Sequence, residues 1–311
     1  MDIEYLLWLQ NLRDVAGDFW PPLMEAFSYF TVRGLIVVPV FLYWSISRRA
    51  GLYILFSQGL SEFINGVLKI TFCIYRPWIR DPRVKPFGNA IETATGYSFP
   101  SGHTMRAAPI WGGTAVVFKK YRWFVGLMIL GILLTAFARN YLGVHTPQDV
   151  VVGTTLGLCV LYVMSKIFAY LEKNPDKENL FLISGLVIVA IALVYITYKP
   201  YPMDYVDGKL LVDPRSMMRD AYKNSGILAG MIIGRYLEKR FINFKPTGLK
   251  NFKGLIFVVI GLVIFIYLRK LPTGFLGKLW GRFASDFVRY FFVIFIWPVV
   301  LKIFCNDNSG R

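Results

Sequence analysis

The run WFVGLMILGILLTAFA (Trp123–Ala138), RNYLGVHT (Arg139–Thr146) and PQDVVVGTTLGLCVLYVMSKIFAY (Pro147–Tyr170) decides how this chain is read. Two apolar stretches flank a short polar turn, and each is long enough to approach or span a hydrocarbon core of roughly 30 Å as a helix. The turn holds an arginine and a histidine, and an aspartate follows just inside the second stretch. Upstream lie two more polar motifs at the edges of apolar segments, KITFCIYRP (Lys69–Pro77) and PSGH (Pro100–His103). Both histidines of the protein, His103 and His145, fall inside these motifs. Two histidines, Asp149 four residues after the second, and the cations Lys69, Arg76 and Arg139 suit phosphoryl transfer. They supply a nucleophile or base, an acid, an orienting group and charge complementarity. No cluster with metal-ligand spacing accompanies them, and neither a metal nor a cofactor is expected.

The rest of the 311-residue chain has the same character: 55% hydrophobic and only 17% charged, with a mean hydropathy of +0.49. A soluble domain carries roughly 25% charge. The pattern predicts an all-α, polytopic membrane bundle of about nine spans, near 27–44, 50–73, 101–119, 123–138, 147–170, 180–197, 222–237, 254–268 and 283–303. Residues 1–26, with mixed charge and a break at Pro21-Pro22, read as an interfacial amphipathic segment. Residues 27–172 read as a catalytic transmembrane core and 173–311 as additional C-terminal helices, with 199–222 a polar surface loop. No signal-peptide pattern opens the chain, so insertion is expected to depend on the first span. Gly153 and Gly157, and the stripe Gly226, Gly230 and Gly234, predict close helix packing.

The net charge of +16 is not a nucleic-acid footprint, because the basic residues sit in short connectors and in the motifs. The connectors after the first, third, fifth and seventh predicted spans carry cations from Arg48 and Arg49 through Lys119, Lys120, Lys173 and Lys177 to Lys239, Lys250 and Lys253. Placing them inside, as the positive-inside rule prefers, brings all three motifs to the external face and the C-terminus to the cytoplasm. Cys73, Cys159 and Cys305 are scattered in apolar segments and suggest neither a disulfide framework nor a zinc site.

The three motifs resemble those of the type 2 phosphatidic acid phosphatase superfamily, which includes vanadium haloperoxidases, bacterial acid phosphatases and glucose-6-phosphatases. The family pattern is K-x6-RP, then PSGH, then SR-x5-H-x3-D. It is met at every defining position except that Ala138 stands where the serine before Arg139 is usual. The likeness runs from about Ile54 to Lys166; beyond, the chain is similar only in general layout to long bacterial membrane members. The resemblance implies that His145 attacks phosphorus to form a phosphohistidine, that Asp149 orients its ring, and that His103 protonates the leaving oxygen and then activates water. Lys69, Arg76, Ser101, Gly102 and Arg139 are implied to hold the phosphate.

Each residue also has a plainer reading. Thr146-Pro147-Gln148-Asp149 is a capping box, so Asp149 can be stabilising a helix start, and both roles can coexist. Ser101 can be an N-cap and His103 an interface histidine. The cations can be snorkelling at the membrane edge. Glu62 and Asn65 extend the helical stripe of Lys69, either as a supporting pair that holds the lysine or as contacts to another helix. The implied activity is metal-independent hydrolysis of a lipid or isoprenoid phosphate, such as undecaprenyl diphosphate, at the outer face of a plasma membrane, the inner membrane of a bacterium. A soluble sugar phosphate, phosphotransfer to another acceptor, and a non-catalytic scaffold or transporter are the alternatives. Oligomeric state is not legible.

Overall fold

A computed structural model describes residues 1–246 and 252–305. Lys250, one of the connector cations, lies outside the described residues. The protein is almost wholly helical. Helices α1 (Asp2–Val15), α2 (Trp20–Arg33), α3 (Val37–Ser45) and α4 (Arg48–Phe72) lead into two short turns, α5 (Pro77–Arg80) and α6 (Ala90–Thr93). Then come α7 (Gly102–Val117), α8 (Arg122–Tyr141), α9 (Pro147–Lys173) and α10 (Glu178–Tyr198). A small hairpin, β1 (Tyr205–Val206) and β2 (Lys209–Leu210), precedes α11 (Pro214–Leu237), α12 (Phe252–Tyr267), α13 (Trp280–Phe291) and α14 (Trp297–Cys305).

Local chemistry fixes where the helices start. Ser47 accepts a hydrogen bond from the Ala50 amide to open α4. Asp213, followed by Pro214, accepts from the Arg215 amide to open α11. Thr146 and Asp149 form a reciprocal capping box at α9, again with proline at the first turn. Each side chain satisfies an amide that has no partner within its helix.

The element at the centre is α4, which packs against α3, α7, α9 and α11. Helix α11 in turn lies against α13, backbone to backbone. A Cβ at Gly226 would sit 2.2 Å from the Phe283 carbonyl oxygen, and one at Gly230 would sit 2.4 Å from that of Phe287. At Gly153 a Cβ would come 2.8 Å from the Ser101 carbonyl oxygen, so α9 is seated directly on the entrance of α7. Both predicted glycine faces are close-packed.

The predicted count of nine spans is not met. Among the described residues, five helical stretches are long and apolar enough to cross a membrane: Arg122–Tyr141, Pro147–Lys173, Pro175–Tyr198, Phe252–Lys270 and Trp280–Cys305. A sixth is counted if α2 and α3, bent by 43° at Gly34–Ile36, are taken as one broken span. The predicted spans at 50–73, 101–119 and 222–237 correspond to α4, α7 and α11, which are helical but fail on length or apolarity. The reason is position. These helices pack chiefly against protein, and their polar groups, among them Glu62, Asn65, Lys69, His103 and Asn224, are buried there. A surface enclosed by protein need not be apolar in the way a lipid-facing one must.

Two further expectations shift. Helix α2 begins at Trp20, ahead of the predicted span start at Phe27. The predicted loop 199–222 is free of helix only at first, where it carries the β1–β2 hairpin, because Asp213-Pro214 starts α11 inside it. Ahead of them, α1 buries Leu6 and Leu9 and exposes Tyr5, Trp8 and Leu12. Its Arg13 donates to the carbonyls of Tyr141 at 3.2 Å and Lys85 at 2.8 Å, tying it to the end of the bundle that holds the motifs.

Candidate active site

The end of α4, the starts of α7 and α9 and the end of α8 meet at one end of the bundle, and the segment 76–99 wraps over them. The turn between α8 and α9 is held by the Asn140 side chain, which donates to the His145 carbonyl at 2.8 Å. Gly143, with φ of +72°, provides the left-handed step that lets this turn close. His145 thereby points inward and is fully buried.

The ring of His145 is gripped on both sides. Its Nδ1 lies 3.2 Å from Asp149 Oδ2, and its Nε2 lies 2.9 Å from Arg76 Nη1. A guanidinium only donates, so Nε2 is the acceptor and the ring proton sits on Nδ1, facing the carboxylate. Burial first, and then the Arg76 cation, hold the imidazole well below the usual histidine range, against the pull of Asp149. A neutral ring with its lone pair on Nε2 is the nucleophilic form.

Asp149 Oδ2 accepts from three donors: the His145 ring, the Thr146 amide at 2.9 Å and Ser98 Oγ at 2.6 Å. The helix cap and the contact to histidine thus coexist on one oxygen. The peptide carbonyl of Asp149 accepts from the Ser101 amide at 2.9 Å, which locks the entrance of α7 to that of α9.

Arg76 is held by its surroundings. Nε donates to the Gly96 carbonyl at 3.0 Å, Nη2 to Thr95 at 2.7 Å and Nη1 to Val144 at 2.9 Å. Burial lowers its pKa to about 10, and it stays charged at neutral pH. Lys69 Nζ donates to the carbonyls of Tyr97 and, at 3.2 Å, Ser98, so the lysine shapes the approach to Pro100. Arg139 is completely buried, with Nη1 donating to Ser28 Oγ at 2.6 Å. Arg139, His145, Arg106 and Arg76 all lie within electrostatic reach of His103.

Four atoms of the motif residues stand out. Ser101 Oγ, His103 Nε2, Arg139 Nε and Arg139 Nη2 are buried without a hydrogen-bond partner among the described residues. Leaving a buried polar group unpaired costs on the order of 1–3 kcal/mol. Beside them, the first-turn amides of α7 begin at Gly102, where the chain passes so close to α4 that a Cβ would lie 3.0 Å from Asn65 Oδ1. Cationic and hydroxyl donors at a helix N-terminus form a receptor for a tetrahedral oxyanion.

Of the two readings of Glu62, contact to another helix is the one that holds, and no pair with Lys69 forms among the described residues. Glu62 is instead clamped by Arg106, with Nε to Oε1 at 2.5 Å and Nη2 to Oε2 at 2.6 Å. The lysine's reach is taken up by the 97–98 carbonyls. Asn65 donates to the Pro100 carbonyl at 3.0 Å, supporting the PSGH turn rather than the lysine. Sequence reading missed Ser98, Arg106 and Ser28. The first two lay close to named motifs and carried suitable groups; Ser28, on a distant helix, gave no signal.

The model of the PAP2 superfamily matches residues 50–173, and that of the PAP2 superfamily phosphatase transmembrane extension matches residues 222–302. Among curated proteins, the chain is similar to phosphatidylglycerophosphatase B of Bacillus subtilis, 29% identical over 158 residues, covering 48% of this chain and 73% of the relative. It is 27% identical over 131 residues to an undecaprenyl-diphosphatase of Sulfolobus acidocaldarius, covering 42% of this chain and 61% of that protein. A lipid A 4'-phosphatase of Porphyromonas gingivalis is 26% identical over 185 residues, covering 54% and 76%. No solved structure matches significantly. The two matched stretches together span more than half of the chain, and by them it belongs to the PAP2 superfamily of phosphatases, as a member with the C-terminal transmembrane extension.

Proposed function

We propose that the protein hydrolyses the phosphate or diphosphate of a membrane lipid or isoprenoid through a phosphohistidine on His145. The observation that carries this reading is the group of unpartnered buried atoms of Ser101, His103 and Arg139 near a histidine held by Asp149 at Nδ1, whose Nε2 accepts from Arg76 and is freed for attack when Arg76 turns to the phosphoryl oxygens. In the first step His145 Nε2 attacks phosphorus, the bond to the leaving oxygen breaks, and His103 gives that oxygen a proton. Asp149 stabilises the positive charge that builds on the His145 ring. Arg139, Arg76 and the α7 amides stabilise the phosphoryl oxygens in the transition state. In the second step His103 takes a proton from water, the hydroxide oxygen attacks phosphorus, and the P–N bond breaks to release inorganic phosphate.

The lipid character of the substrate is supported by the site's place at the ends of apolar helices, where a tail can stay in the bilayer while its phosphate reaches the donors. An external orientation is supported by charge. Arg49 pairs with Glu172 at 2.8 Å and Lys239 with Glu178 at 2.8 Å, so connector cations gather at the end of the bundle away from His145.

The test is phosphate release by the full chain in detergent with EDTA present, comparing several lipid phosphates with glucose 6-phosphate. His145→Ala is the control, and rapid quenching of a phosphorus-labelled substrate traps the intermediate. Release from lipids with an acid-labile label on wild type alone is expected. Wild-type turnover by His145→Ala, or a dependence on divalent metal, would overturn the mechanism; preference for glucose 6-phosphate would overturn the substrate class.

A further inference from the structure

Between the catalytic core and helices α11 and α13 lies a cavity of about 530 Å³. Arg76, which touches His145, is part of its wall, so the cavity adjoins the site. Eight cationic side chains line it against three carboxylates. Those contributed by the core are engaged: Arg76 on carbonyls, Arg106 on Glu62. Two of the three carboxylates are engaged too, Asp286 lying 3.6 Å from Arg289 and Asp220 accepting from Thr95 Oγ1 at 2.6 Å, while Glu92, from the 76–99 segment, has no such partner among the described residues.

Three cations are different. Arg219, Arg269 and Arg282, all from the helical region C-terminal to Asp213, have no hydrogen bond or ion pair to any described residue; Lys223 makes none either, but it lies within electrostatic reach of the Glu62 and Asp220 carboxylates. All three also line a neighbouring cavity of about 410 Å³, so they stand where the two spaces join. Surface anchoring at the membrane edge accounts for an exposed arginine such as Arg269 or Arg282. It does not account for three converging on one polar cavity with half-buried Arg219 among them. A concave wall of one sign concentrates counter-ions, and planar guanidinium groups match phosphate or carboxylate oxygens in pairs.

We propose that Arg219, Arg269 and Arg282 form a subsite for a second anionic group of the substrate, a phosphate or carboxylate, held while the scissile phosphoryl group is at His145. The proposal rests on the phosphatase reading and narrows it to substrates with two separated anionic groups. The extension then takes part in substrate selection as well as in packing.

The experiment uses the full chain in a neutral detergent. Calorimetric titration with methylphosphonate and with alkane bisphosphonates of increasing length, on wild type and on the Arg219→Gln/Arg282→Gln variant, measures the advantage of the second anion. A wild-type advantage of about tenfold or more at one chain length, lost in the variant, is expected. An advantage that survives in the variant overturns the subsite. Equal weakening of mono- and bis-anionic ligands also overturns it, in favour of general surface charge that attracts lipid headgroups. In turnover, the ratio of kcat/KM for a lipid with two anionic groups over one with a single phosphate should fall about tenfold in the variant. If the binding advantage is present but no lipid phosphate is hydrolysed, the phosphatase reading fails while the subsite stands.

Discussion

Ser98 offers a direct test of how the proposed nucleophile, His145, is held. Its hydroxyl is buried and makes the shortest of the three contacts to Asp149 Oδ2, at 2.6 Å against 2.9 and 3.2 Å. Ser98→Ala removes one donor and adds no bulk. A hydrogen bond to a charged group is worth about 1.5–3 kcal/mol, and the Thr146 amide stays in place, so the loss in stability should lie near the lower end. For catalysis, the carboxylate would keep the His145 proton but gain freedom to tilt. A cost of about 1.4 kcal/mol in the transition state is a tenfold fall in kcat. Asp149→Asn, which disturbs the tautomer itself, should cost about a thousandfold or more.

Direction in pH separates positioning from mere support. With one donor fewer, Asp149 carries more unshielded charge and favours imidazolium, so the acid limb of kcat/KM should move to higher pH in Ser98→Ala. The assay is phosphate release across pH in detergent, with thermal unfolding of the same samples. Unchanged kcat and an unmoved acid limb in a folded Ser98→Ala protein would refute the claim that Ser98 positions the carboxylate.

Three other outcomes are expected. Glu62→Leu leaves the Arg106 guanidinium buried without its partner and should cost about 3–5 kcal/mol in detergent unfolding, whereas Glu62→Leu with Arg106→Met should recover most of it. An additive double mutant would deny the coupling. Gly230→Ala drives a methyl group into the Phe287 carbonyl and should destabilise by about 1–3 kcal/mol, read as a lower unfolding midpoint; no change would mean that α11 and α13 separate freely. His145 is held neutral in the fold, while an unfolded histidine protonates near 6.5, so the unfolded state binds more protons as pH falls below that value. Stability should therefore decline on acidification through 6.5, and His145→Ala should flatten the slope; an identical slope would show that the ring is not held neutral.

Much of the geometry of the candidate site was legible because its motifs are written in short spacings. His145 and Asp149 are one helical turn apart, and the Thr146-Pro147 start places both at the mouth of α9. Pairings across the fold were another matter. Glu62 and Arg106 are 44 residues apart, and Ser28 and Arg139 are 111 apart, so no local pattern announces either contact. The span count failed for a related reason. Apolar residues on α4 and α11 record packing against other helices as much as contact with lipid, and sequence periodicity does not tell one neighbour from the other. Asp213-Pro214 was a readable helix start, but the charges around it argued for a loop.

One carboxylate oxygen of Asp149 serves the helix cap, the serine and the imidazole at once. Under the proposed mechanism, nucleating α9 and arming the nucleophile are therefore a single event: a chain in which the first turn of that helix is unwound has also lost the axis on which His145 is aimed. Fraying at this one point would switch hydrolysis off before any larger part of the bundle came apart, and activity would report on the order of a single helical turn. The same economy has a cost for the experimenter, since no substitution at Asp149 can subtract chemistry and leave architecture untouched. Ser98, which touches the oxygen from outside the helix, is the handle that separates the two.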